Sequence, residues 1–107
     1  AEDGIRDHCV TGVQTCALPI LDTHTYETGA LDTKTKELLG LVASMVLRCD
    51  DCIKYHLGKS KETGVNTAEV YEVFAVANIV GGSIVIPHTR RAAEYWEELQ
   101  QNSGEAQ

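Results

Sequence analysis

Aromatic side chains are scarce in this chain, with one Trp, one Phe and four Tyr among 107 residues. A core built from it must therefore be aliphatic. Positive charge is also short, with 9 Lys and Arg against 16 Asp and Glu, for a net charge of −7. That balance excludes nucleic acid and anionic membrane surfaces as expected partners, because both demand a basic face. No apolar run approaches the roughly 20 residues needed to span a bilayer. The opening residues Ala1, Glu2, Asp3, Gly4, Ile5, Arg6 and Asp7 are acidic and polar rather than an apolar leader, so a cytoplasmic location is expected. The length allows one domain, and a domain this small buries a limited share of its surface, which favours a homo-oligomer.

What is present divides unevenly. Residues 1–20 read AEDGIRDHCVTGVQTCALPI, with weak periodicity and no element expected ahead of a helical domain. Residues 10–20 resemble the in-frame translation of a common short-read sequencing adapter, and residues 1–7 resemble its other constant part. His8 and Cys9 fill the place of a sample index. The expectation is a metagenomic fragment whose first 20 residues are not native and whose natural start is missing. Cys9 and Cys16 then leave the functional cysteine count, and residues 21–100 form the natural domain.

Residues 21–30 are polar and Thr-rich, either the end of a helix or a loop. From Asp32 or Thr33, either a possible N-cap, the pattern turns helical. Leu38, Leu39, Val42, Ala43, Met45 and Val46 recur at three- and four-residue spacings, predicting a helix over 33–48 with that stripe inward. A second helix is expected over 50–63, with Asp50 and Asp51 at the positive end of its dipole and Gly64 as its stop. Asn66 and Glu69 form a capping box and Val65 and Val70 a hydrophobic staple, opening a helix over 67–80. Its later half is apolar all round, which suits a central buried helix or one covered by another subunit. Gly81 and Gly82 break the chain. A last helix is expected over 83–100, with Ala92, Ala93 and Trp96 inward, and residues 101–107 as a disordered tail. The fold class is all-α.

The chemistry concentrates in Cys49-Asp50-Asp51-Cys52-Ile53-Lys54-Tyr55-His56. A cysteine at a helix N-terminus is favoured as thiolate, whereas acidic neighbours oppose it. His56 follows Cys52 by one helical turn and can take its proton. Glu37, on the preceding helix, reaches His56 if the two helices fold back, and then fixes its tautomer or receives a relayed proton. A metal site is the rival: Cys49, Cys52 and His56 supply three ligands, with His88, His24 or Glu37 as a fourth for zinc. A structural zinc site normally brings a second close pair of ligands, and removing Cys9 and Cys16 leaves none. Haem attachment is excluded because Ile53, not histidine, follows Cys52. A helical assembly module with vestigial cysteines is a third class.

The pattern Glu-x11-Cys-x2-Cys-x3-His, with the Gly-Gly-Ser-Ile-Val-Ile-Pro-His stretch after it, resembles the AhpD-like alkylhydroperoxidase branch of the carboxymuconolactone decarboxylase family over residues 29–99. The resemblance implies a cysteine-based peroxidase and disulfide reductase. Cys52 would attack peroxide, Cys49 would resolve the sulfenic acid as a disulfide, and His56 and Glu37 would relay protons. It further implies an all-α trimer or hexamer with no metal or prosthetic group, re-reduced by a lipoylated or thioredoxin-like dithiol protein. Decarboxylase-type members share the fold without depending on a cysteine pair. One departure stands out: the branch often carries Tyr directly before the second cysteine, where this chain has Asp51. An acid there disfavours thiolate. His88, after Pro87, is a further candidate pocket residue alongside Asp51.

Overall fold

The computed structural model of the chain describes residues 13–106, with side chains described over residues 20–102. The described residues contain five α-helices and one short 3-10 turn, with no strand. These are α1 (Val13–Tyr26), α2 (Thr33–Leu47), α3 (Asp50–Glu62), α4 (Thr67–Gly81), the turn Ser83–Val85, and α5 (Ile86–Ala106). The all-α expectation is met. No helix among the described residues is long and apolar enough to cross a membrane.

The chain forms two compact units, one ending at Thr33 and the other beginning at Lys34. In the first, α1 occupies residues 13–20 as well as 21–26, although the sequence there shows too little periodicity to predict an element. Helix formers such as Gln14, Ala17 and Leu18 explain how a helix can run without an amphipathic signal. The bend after it is closed by Thr33, whose hydroxyl donates to the Tyr26 carbonyl at 2.6 Å.

The second unit holds the core. Leu41 and Met45 of α2, Ile53 and Leu57 of α3, Val70, Phe74 and Ala77 of α4, and Ala92 and Trp96 of α5 are all buried. Within each helix these residues stand three or four apart, so one stripe per helix turns inward. Val65 and Val85 complete the cluster from the connections. The single Trp96 is fully enclosed, and its indole N–H donates to the Thr67 hydroxyl at 2.9 Å. Helix α3 packs along α5, which aligns the motif-bearing helix with the one that carries His88.

Three expectations require correction. The inward stripe of α2 is Glu37, Leu41, Ser44 and Met45, while Leu39 and Ala43 are exposed and Leu38, Val42 and Val46 are only partly buried. The helix is apolar on two faces, and periodicity alone selected the broader one. That broader face borders an apolar groove of about 430 Å³ against α4, lined by Leu38, Leu39, Val42, Val73 and Val76. Of the two settings expected for α4, central burial is not the one adopted within the single chain, since Val76, Ile79 and Val80 are exposed; cover by another subunit is the alternative that these exposed side chains leave open. Finally, residues 101–106 continue α5 to Ala106 instead of forming a tail. Extending an established helix costs far less than starting one, so polar residues can be carried along.

The glycine pair works as the sequence suggests. Gly82 adopts φ 85°, a conformation L-residues resist, and ends α4 by donating its N–H to the Asn78 carbonyl at 2.9 Å. A Cβ on Gly81 would collide with the Val85 side chain, which is fully buried.

Candidate redox site

The site is built at the joint between α2 and α3. Helix α2 ends in a Schellman closure: the Cys49 N–H donates to the Ser44 carbonyl at 3.1 Å and the Arg48 N–H to the Met45 carbonyl at 3.0 Å. This closure needs a left-handed residue, and Arg48 supplies it with φ 63° where glycine is usual. Helix α3 ends in the same closure with Gly64 at φ 90° in that role.

Cys49 leaves the first closure with extended backbone and at once becomes the N-cap of α3, its Sγ accepting the Cys52 N–H at 3.3 Å. Cys49 and Cys52 are joined as a disulfide with their Cα atoms 5.3 Å apart, within the span such bridges require. Cys52 is exposed and Cys49 half-buried.

Glu37 stands two turns before Met45 on the buried stripe of α2, the one ionisable side chain in that row. Its side chain is only 4% exposed, and that of His56 13%. Enclosing such a group without a partner would be costly. His56 supplies the partner, donating from Nδ1 to Glu37 Oε1 at 2.9 Å. A proton held on Nδ1 makes Nε2 the basic nitrogen of the neutral ring. The structure thus brings Glu37 and His56 together, and pairs Cys49 with Cys52 on the same helix as His56.

His88 and Asp51 are not brought together. Asp51 is exposed. His88 instead donates from Nδ1 to Oδ1 of Asp50 at 2.8 Å, and Arg91 Nε donates to Oδ2 of the same carboxylate at 3.1 Å. The His88 hydrogen bond first, and the Arg91 charge after it, hold the Asp50 carboxyl below the ordinary carboxylate value despite some desolvation. The sequence marks Asp50 as a helix-dipole residue and as an acid opposing thiolate, but does not pair it with His88 or Arg91. The available signal was the three-residue spacing of His88 and Arg91 on one helix, which aims both at one neighbour. A cavity of about 60 Å³ lies beside them, lined by Asp50, Ile53, Lys54, Arg91 and Ala92. Among the described residues, no three His, Cys, Asp or Glu side chains converge as metal ligands.

The family model for carboxymuconolactone decarboxylases matches residues 17–95, most of the chain and the whole of this constellation. The chain belongs to the carboxymuconolactone decarboxylase family. Two crystal structures of a family member from Thermotoga maritima superpose on it. One is 50% identical with a TM-score of 0.81, covering 87% of this chain and 96% of the other. The second is 46% identical with a TM-score of 0.82, covering 97% and 92%. That bacterial protein carries a suggested involvement in antioxidative response. An apo family protein from Legionella pneumophila is 25% identical with a TM-score of 0.74, covering 90% of this chain and 84% of its own. A curated relative, uncharacterized protein 4 in the cox locus of Paracoccus denitrificans, is 27% identical over 71 residues. The match takes in 66% of this chain and spans 64% of that relative's length.

Proposed function

We propose that this family member is an AhpD-like, cysteine-based enzyme that reduces hydroperoxides or disulfides, cycling Cys49 and Cys52 between dithiol and disulfide. The observation that carries the reading is the juxtaposition of a bridged CxxC pair with a histidine one turn later, its Nδ1 fixed by a buried glutamate. A structural disulfide needs no such base, and a buried Glu–His pair has little to offer a core except cost.

In the reduced enzyme, His56 Nε2 takes the Cys52 proton and the thiolate attacks the terminal oxygen of a hydroperoxide. The S–O bond forms as the O–O bond breaks. The alkoxide leaves as alcohol with the proton from His56, and Cys52 becomes a sulfenic acid. The Cys49 sulfur then attacks Cys52, expelling its hydroxyl as water and closing the disulfide. The pair has lost two electrons, matching the two gained by the peroxide. An external dithiol protein, lipoylated or thioredoxin-like, returns them by thiol–disulfide exchange and leaves oxidised. Exposure of Cys52 suits it to meet both reactants. Glu37 holds the ring through each proton transfer. The family resemblance also supports self-association as a trimer or hexamer, for which exposed Val76, Ile79, Val80, Ile84 and Ile86 offer an apolar face.

Hydroperoxide titration of the reduced protein tests this. Cys52→Ser is expected to abolish consumption, and Cys49→Ser to stop after one equivalent at the sulfenic acid. His56→Ala should slow turnover by roughly 10²–10⁴-fold, the usual worth of a positioned acid–base group. Wild-type consumption by Cys52→Ser would overturn the reading.

A further inference from the structure

Asp50 directly follows the N-cap cysteine, and the chemistry above makes no use of it. With Asp51 it places two carboxylates in the first turn of α3. The helix N-terminus and the Cys52 N–H favour a thiolate at Cys49. An unbalanced carboxylate one residue away acts against it.

The balance comes from α5. His88 and Arg91 take one oxygen each of the Asp50 carboxylate, and Arg91 Nη2 lies 3.3 Å from His88 Nδ1. They are the titratable and charged groups that face Asp50 from the helix packed on α3. Around Asp50 on its own stretch of chain stand Arg48, Asp51 and Lys54, of which Lys54 shares the small cavity with Arg91. Asp51 has no comparable partner among the described interactions, so of the two acids only Asp50 is compensated.

We propose that Asp50, His88 and Arg91 are positioning residues that together set the thiolate fraction of the CxxC pair, the His88 hydrogen bond and the Arg91 guanidinium offsetting the Asp50 charge beside Cys49. The inference rests on the redox reading of Cys49 and Cys52 and adds a means of tuning it. A stabilised thiolate stabilises the dithiol form, so Arg91 pushes the disulfide toward the oxidising side and Asp50 toward the reducing side. An ion pair that merely fastened α3 to α5 would behave differently. Removing either partner would then open the same contact and move the thiols in the same sense, or leave them unmoved.

Opposite signs are therefore the test. The full chain carrying Cys9→Ser and Cys16→Ser is reduced, and its thiolate absorbance is followed against pH, with circular dichroism to verify the fold. Asp50→Asn should lower the thiol titration midpoint by about half a pH unit, a fraction of the one to three expected for a contacting charge. Arg91→Gln should raise it by a similar amount, and the double variant should return close to the parent. The disulfide–dithiol equilibrium against a reference dithiol should follow, more oxidising for Asp50→Asn and more reducing for Arg91→Gln. Both differences should shrink in high salt, because Arg91 and Asp50 are partly exposed. Shifts of the same sign, or no shift, would overturn the inference. If Arg91→Gln does not fold, Asp50→Asn decides alone: an unchanged or raised midpoint refutes the proposal. A parent chain that never cycles between dithiol and disulfide would instead defeat the redox function, while its thiol titrations would still report on this cluster.

Discussion

Replacing Gly81 by Ala puts a single methyl group at a point where the fold has no room for it. The new Cβ would collide with Cγ2 of Val85 and would meet the side chain and backbone of Val46 at 3.6 and 3.7 Å. The Val46 contacts are of ordinary length, so the conflict is with Val85. That residue is fully buried and cannot swing outward. Being β-branched, it has few alternative rotamers. Overpacking a core in this way costs about 1–3 kcal/mol. Against it stands the helix preference for Ala over Gly, about 1 kcal/mol in a helix interior and less at the last residue of α4. The net expectation is a loss of about 1–2 kcal/mol, or roughly 5–15 °C in Tm for a domain of this size. Thermal unfolding followed by far-ultraviolet circular dichroism gives Tm, and Trp96 fluorescence gives an independent record from inside the core. Adding Val85→Ala to Gly81→Ala should recover part of the loss, because the added methyl then enters space vacated by the valine. An unchanged or higher Tm for Gly81→Ala, with no coupling to Val85→Ala, would refute the steric argument. The same turn leads into α5, so the variant should also disturb the His88 and Arg91 contacts to Asp50.

Two further outcomes are expected. Arg48→Gly should stabilise the protein by about 0.5–1 kcal/mol, since it removes a left-handed L-residue at a cost in unfolded-chain entropy smaller than the gain, whereas Gly64→Ala at the equivalent closure of α3 should destabilise it by about 1 kcal/mol; chemical denaturation of both reads the contrast. The Asp50 carboxyl titrates below its ordinary value of 3.8 in the folded protein, so its stabilising contribution is present above that pH and is lost as pH falls through the lower folded value. The Tm difference between wild type and Asp50→Asn should therefore narrow below about pH 4, and a difference that widens there would contradict the assignment.

Much of this architecture is legible in the residues because its signals are local. Asn66 and Glu69 sit three apart and cap α4 as a reciprocal pair at 2.8 and 2.9 Å, a device that needs no tertiary information. Gly64 and the Gly81-Gly82 pair mark chain reversals through their own backbone freedom. The pairing of Glu37 with His56 follows from helical spacing combined with a hairpin, which a motif can suggest but only packing can realise. Signals failed where one helix carries apolar residues on two faces and the buried face also holds Glu37 and Ser44. The expected stripe holds Met45, which is buried, but also Leu39 and Ala43, which are exposed, and it leaves out the buried Leu41; only the neighbouring helices decide between these positions. Arg48 was invisible for a different reason. Nothing in an arginine announces a left-handed conformation, and its position is dictated by the two helix ends it joins. The Asp50–His88–Arg91 cluster joins residues 38 and 41 positions apart, so the local spacing of His88 and Arg91 can suggest a shared neighbour but not that it is Asp50.

The joint at Arg48 has one more consequence. Helix α2 stops at Leu47 and α3 starts at Asp50, with each intervening residue already committed: Arg48 closes the first helix, and Cys49 both completes that closure and caps the second. The connection therefore behaves as a coupling of fixed phase rather than as a loop. One residue inserted into α3 ahead of His56 would turn the ring by about 100° and withdraw it from Glu37. Insertions that a surface loop absorbs without effect should here disconnect the carboxylate from the imidazole, so the spacing from Glu37 to Cys49 to His56 is as much a part of the site as the side chains are.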